Sequence, residues 1–113
     1  MTAEIKVFTS NSMRAVLDEL VPAFERASGN GVSVSYDPAK VMLKRIKDGE
    51  TADLAITGAA AIDELVEQSR IAAGSRRILS RCGVGIAVRA GAPKPDIGSV
   101  EAFKRMLLNA KSI

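Results

Sequence analysis

The chain has 113 residues, of which 47% are hydrophobic and 26% charged, a balance that suits one globular domain with a real core and excludes intrinsic disorder. It contains no histidine and a single cysteine. That excludes Ser-His and Cys-His nucleophile pairs, imidazole metal ligands, an intrachain disulfide and a thiolate cluster, and no cofactor is expected. The net charge of +3 is unevenly spread: residues 1–69 carry 7 basic against 11 acidic side chains (net −4), and residues 70–113 carry 9 against 2 (net +7). The basic side chains of the second part are dispersed and have almost no aromatic neighbours. They read as a solvated face or a surface for an acidic partner, and no nucleic-acid binding is expected. No apolar run approaches the ~20 residues of a membrane span, so no membrane insertion is expected. Met1–Lys6 lacks the basic stretch and apolar core of a secretory leader, which leaves a cytoplasmic location open beside removal of a leader.

In chain order, residues 5–9 form a short apolar, β-favouring run that stops at Ser10-Asn11-Ser12. Val16, Leu17, Leu20, Val21 and Phe24 then fall on one stripe, which predicts a helix over about 12–28 with its apolar side buried and a bend at Pro22. Gly29-Asn30-Gly31 supplies the stop. Residues 32–36 alternate as a second strand. Asp37 is placed to cap a second helix with Pro38 at its first position, Met42, Leu43 and Ile46 on its buried face, and Gly49 at its end. Residues 53–57 read as a third strand covered on both faces, since Leu54, Ala55 and Ile56 are consecutive and apolar. A third helix spans about 60–69, with Ile62, Leu65 and Val66 inward. This β-α-β-α-β-α order predicts an α/β fold with a mainly parallel sheet and right-handed crossovers, the first strand central. Residues 77–90 then read as one long strand or two joined ones, with Gly83 and Gly85 at a bend and Cys82 a buried, inert thiol. After the 90–95 loop, Ser99 caps a last helix with Val100, Phe103, Leu107 and Ala110 on one side. Another strand is expected to begin near Lys111.

Ligands of open parallel sheets bind beyond the carboxyl ends of the strands, where the next helices start. Three such ends offer Ser10, Asn11 and Ser12, then Asp37-Pro38-Ala39-Lys40, then Thr57-Gly58, where Gly58 would allow close backbone approach. Helix starts carry partial positive charge and unpaired donors, so their convergence makes an anion site. Against this stands the plainer reading that Ser, Asn and Asp at helix starts are only caps, Lys40 a solvated side chain and Gly58 a tight turn.

The segments Val7-Phe8-Thr9-Ser10-Asn11-Ser12, Leu20-Val21-Pro22-Ala23-Phe24-Glu25, Ala52-Asp53-Leu54-Ala55-Ile56, Ser75-Arg76-Arg77 and Gly83–Pro93 come in order at matching spacing. Together they resemble the molybdate-binding-protein-like family of ABC-transporter solute-binding proteins, of the type 2 periplasmic binding fold, over nearly the whole chain. The resemblance implies a three-layer α/β/α lobe over residues 1–76 and, over 77–113, a crossover strand and C-terminal helix leading to a second lobe. Family members are roughly twice this length. It implies a non-enzymatic protein that binds a small anionic solute, an oxyanion such as molybdate, through hydroxyls and backbone N–H groups. By that match Ser12 is the first oxyanion-binding serine. The family's second serine falls near Ala39 or Lys40 and is missing here, so Lys40 stands there for an organic carboxylate or another anion. The ligand-binding set expected is therefore Ser10, Asn11, Ser12, Ala39, Lys40, Thr57 and Gly58, with no metal. The partners implied are a small anionic solute, an ABC-transporter permease and, because half a clamp leaves apolar surface uncovered, a second copy of the chain. The family would place the protein in the periplasm. Two other classes compete with this reading: a small hydrolase or phosphotransferase using Ser12 or Asp53, and an interaction or oligomerisation module that has lost its ligand.

Overall fold

Residues Glu4–Thr9 form β1 in a computed structural model that describes residues 3–113. A 3-10 turn over Asn11–Met13 leads into helix α1, Arg14–Ser28, which Gly29 ends in the left-handed conformation at φ 74°. Strand β2 (Gly31–Tyr36), helix α2 (Ala39–Lys47), strand β3 (Leu54–Ile56) and helix α3 (Ala59–Glu67) follow. The sheet order is β2-β1-β3, with β1 parallel to both neighbours. Passing from β1 to β2 and then back across β1 to β3 reverses direction in the sheet. Right-handed crossovers therefore put α1 on one face and α2 on the other, giving three layers, α/β/α. This parallel sheet with β1 central is the arrangement expected from the sequence.

The core confirms the layering. Phe8, Met42, Ile46 and Leu65 form one buried cluster from β1, α2 and α3, with Leu43, Ala52 and Ile71 packed against it. Successive strand residues face opposite ways, so buried Val7 and Thr9 turn toward the α1 side. Asp53 sets the start of β3 by exchanging two bonds with Lys6: its carboxylate accepts the Lys6 N–H at 2.8 Å and its own N–H donates to the Lys6 carbonyl at 2.9 Å.

Residues 1–77 form one compact unit and residues 78–113 a second. The second contains helix α4, Val100–Asn109, whose start is capped by Ser99: its hydroxyl accepts the Ala102 N–H at 3.0 Å.

Several expectations are corrected. Residues 77–90 form no strand. A strand exists only where a neighbour accepts its N–H and C=O groups, and among the described residues none pairs with this segment. Cys82 is consequently exposed, because no layer forms over its apolar run. The residues from Lys111 onward also contain no strand. Strand β3 is half open, with Leu54 50% exposed, because it lies at the sheet edge rather than between two partners. Of the α1 stripe only Leu17 and Val21 are half-buried, while Val16, Leu20 and Phe24 stay exposed. The apolar stripe is wider than the two strands beneath it can cover. On α3, Leu65 is buried and Val66 faces out. In α4 Ala102 is buried and Met106 and Leu107 are half-buried, whereas Val100 is 84% exposed, and Ala110 lies past the helix end.

Candidate functional site: the carboxyl edge of the parallel sheet

Strand register brings the sequence-predicted site residues to one level. Thr9 aligns with Tyr36 on one side and Ile56 on the other. The residues that follow, Ser10, Asp37 and Thr57, therefore leave the sheet along a single edge. Thr9 itself is fully buried and pins this edge, its hydroxyl donating to the Ile56 carbonyl at 2.9 Å. Asp37 extends the β1–β2 ladder by one rung, donating its N–H to the Thr9 carbonyl at 2.9 Å.

At the β1 end, the Ser10 and Ser12 hydroxyl oxygens lie 2.6 Å apart. Neither caps a helix: no side chain accepts from the first-turn N–H groups of the 3-10 turn or of α1. Two hydroxyls that bond each other spend one proton between them, so one O–H remains to donate outward. At the β2 end, Ala39 and Lys40 are the first two residues of α2, both exposed, and no side chain caps that helix either. Lys40 takes part in no ion pair among the described residues. At the β3 end, Thr57 is half-buried and Gly58 exposed, ahead of an uncapped α3. The three helix starts along this edge thus keep their N–H groups free of side-chain partners, whereas α4, in the other unit, is capped by Ser99.

One detail of the sequence reading is corrected at this edge. Asp37 is not the cap of α2; Pro38 occupies that position. The reason is competition, since the Asp37 N–H is held in the β-ladder and its carboxylate pairs with Arg45. Gly58 has an ordinary backbone conformation, with φ −66°, and a Cβ added there would meet nothing within 4 Å, so the space before it is open.

Arg45 holds the β2 end in place. Its guanidinium lies over the Phe8 ring at 4.4 Å, binds Asp37, and takes Glu50 in a fork of bonds at 2.7–3.1 Å. Hydrogen bonds first to Glu50 and then to Asp37 raise the Arg45 pKa further above its ordinary value, and the same fork holds the Glu50 carboxyl below its usual range.

Arg14 and Tyr36 are the residues that reading the sequence missed. Arg14 stands over the Tyr36 ring at 4.0 Å and donates to the Asn11 side-chain carbonyl at 3.2 Å. The signal was there: a cation in the first turn of a helix opposes the helix dipole, and the single tyrosine sits at the end of a strand beside the crevice. A hollow of about 880 Å³ lies elsewhere, in the second unit, lined by α4 and the loop holding Pro93 and Pro95. Its lining mixes Asp96 with Arg105 and Lys111, in contrast to the uncapped helix starts at the strand ends. Among the described residues no group of three or more His, Cys, Asp or Glu is placed to hold a metal ion.

Residues 5–111 match the family described as bacterial extracellular solute-binding protein. The chain is also similar to an aconitate isomerase from Pseudomonas sp, 32% identical over 114 residues that cover 96% of this chain and 44% of that protein. The chain therefore spans less than half the length of that relative.

Proposed function

The chain belongs to the bacterial extracellular solute-binding protein family, and we propose that it binds a small organic anion at the carboxyl edge of its sheet. The family's description is that of a solute-binding protein, the class expected from the sequence. The observation that carries the proposal is the set of three uncapped helix starts along one edge, with the Ser10–Ser12 hydroxyl pair among them. Backbone N–H groups and hydroxyls complement an anion and leave its charge spread over several donors. Lys40, exposed at the start of α2, adds an ammonium to this edge that would pair with an anionic group of the solute. The similar protein is named for aconitate, a tricarboxylate, which supports an organic anion. In this reading the chain forms one wall of a clamp and hands its solute to an ABC-transporter permease outside the cytoplasm.

Titration of the whole chain with aconitate, acetate, sulfate and molybdate, followed by amide NMR shifts, tests this. Aconitate is expected to shift the amides of residues 10–12, 39–40 and 57–58. Ser12→Ala should weaken that binding by about 1.5–3 kcal/mol, the worth of a hydrogen bond to a charged group. Silence from all four anions overturns the reading. A second reading, an assembly module that no longer holds a ligand, is favoured by the exposed apolar side chains Val16, Leu20 and Phe24 on α1.

A further inference from the structure

The anion-binding reading does not use the best-oriented cation at the sheet edge. Arg14 is exposed, yet it is held on two sides: its guanidinium stacks on the Tyr36 ring at 4.0 Å, and its Nη2 donates to the Asn11 Oδ1 at 3.2 Å. Register places Tyr36 directly beside Thr9, one residue before Ser10. The guanidinium is thus held over the last residue of β2, at the edge where Ser10 follows Thr9, by contacts that leave most of its donors free. A guanidinium has five N–H donors, and a single side-chain acceptor is engaged here. Arg45 and Arg76 are each neutralised by carboxylates, but Arg14 has no ion-pair partner among the described residues. Its position also runs against the helix dipole, which disfavours a cation in the first turn of α1. A cation placed there at a cost and held rigid without a counter-charge is arranged for an anion that arrives from outside. Stacking on an aromatic ring leaves the edge of the guanidinium open, and that edge matches the two oxygens of a carboxylate.

We propose that Arg14, positioned by Tyr36 and Asn11, selects solutes with at least two carboxylates: the Ser10–Ser12 pair and nearby N–H groups take one, and the Arg14 fork takes the next. This rests on the anion-binding reading above and sharpens it from anion to polycarboxylate. Tyr36 acts through Arg14 as a positioning residue, so its ring matters and its hydroxyl does not.

The experiment compares binding of aconitate, acetate and sulfate to the full chain and to its variants by amide NMR titration. Arg14→Gln should weaken aconitate binding tenfold or more and leave acetate and sulfate within twofold of the parent. Tyr36→Leu should reproduce that selective loss, and Tyr36→Phe, which keeps the ring, should restore parent affinity. Arg14→Lys should fall between, having the charge without the fork. The amide spectrum and melting temperature of each variant report whether the fold is kept; Arg14 is exposed, so its variants should melt with the parent. If the parent binds none of the three anions, both this inference and the reading beneath it fall. If the parent binds aconitate and Arg14→Gln binds it equally well, or loses all three anions alike, the assignment of Arg14 fails while the anion site stands.

Discussion

The Arg45 guanidinium shows how much organisation one side chain supplies to the sheet edge. It covers Phe8 from the core side, binds Asp37 just past β2, and clasps Glu50 in the turn after α2. None of these partners is adjacent to Arg45 in sequence, and nothing in the local pattern marked Arg45 as more than one of the basic residues along α2. Asp37 illustrates the converse. Its place before Pro38 reads as a helix cap, and only the long-range claims of Thr9 and Arg45 take it elsewhere. The Arg45 fork lowers the Glu50 pKa from its ordinary 4.5, so the folded chain gives up that proton more readily than the unfolded one. The stabilisation is therefore complete above pH 4.5 and disappears as the pH falls through the lower, folded value. Glu64 is held below its usual range in the same sense, chiefly by its hydrogen bond from Lys47. Both carboxylates are well exposed, so the effect is small, a few degrees of melting temperature at most. Glu50→Gln is expected to melt below the parent at pH 7, by a margin that shrinks as the pH falls below 4.5. Calorimetry across that range checks this, and parallel melting curves would contradict it.

Among the elements, those whose apolar period is completed by a partner were legible, and those without one were not. The three parallel strands and the helices between them follow from runs and stripes bounded by Asn, Gly and Pro, and α2 buries Met42 and Ile46 at the spacing of one helical face. Periodicity cannot say how much of a stripe will find cover. The α1 stripe predicts five inward residues, but the strands beneath it leave Val16, Leu20 and Phe24 in solvent. Likewise Val84, Ile86 and Val88 alternate as a strand should, yet alternation makes no ladder without a neighbouring chain. The site was legible to the same degree: the strand ends and helix starts could be placed along one edge, while the stacking of Arg14 on Tyr36 depends on a register between strands that the sequence does not display. The contrast in capping has a measurable consequence. Ser99→Ala removes the one hydrogen bond that caps α4, at a cost of about 1 kcal/mol. Hydrogen exchange of the first-turn amides of α4 should then speed up about fivefold. The amides of α1 to α3 should keep their rates, since those starts have no side-chain cap to lose. Equal acceleration throughout the chain would mean that the capping bond does not act locally.

At the scale of the whole molecule, the unsatisfied surfaces point to association. The sheet has two open edges, β2 and β3. The first unit also exposes Leu54 and the α1 side chains Val16, Leu20 and Phe24, and the second exposes Ile78, Leu79, Val84, Ile86 and Val88. Exposed large apolar side chains and unpaired strand edges, each taken by itself, are uncommon on a protein that stays alone in water. The Val84–Val88 stretch has the alternation of a strand and no partner among the described residues, and an open sheet edge has donors and acceptors without one. A second copy of the chain can satisfy both at once, and a two-fold arrangement would do so twice and close. Sedimentation equilibrium at micromolar concentration should therefore give a mass of about twice that of the chain. Placing charge on the alternating face, with Val84→Lys and Ile86→Lys together, should return it to a monomer without moving its melting temperature by more than a few degrees, because Val84 is 97% and Ile86 40% exposed. Cys82, exposed within the same run, gives an independent reading: its reaction with a thiol reagent should be slower in the associated protein than in the lysine variant. A parent chain that sediments as a monomer, with Cys82 reacting at the same rate in both proteins, would mean that the chain does not associate through this run.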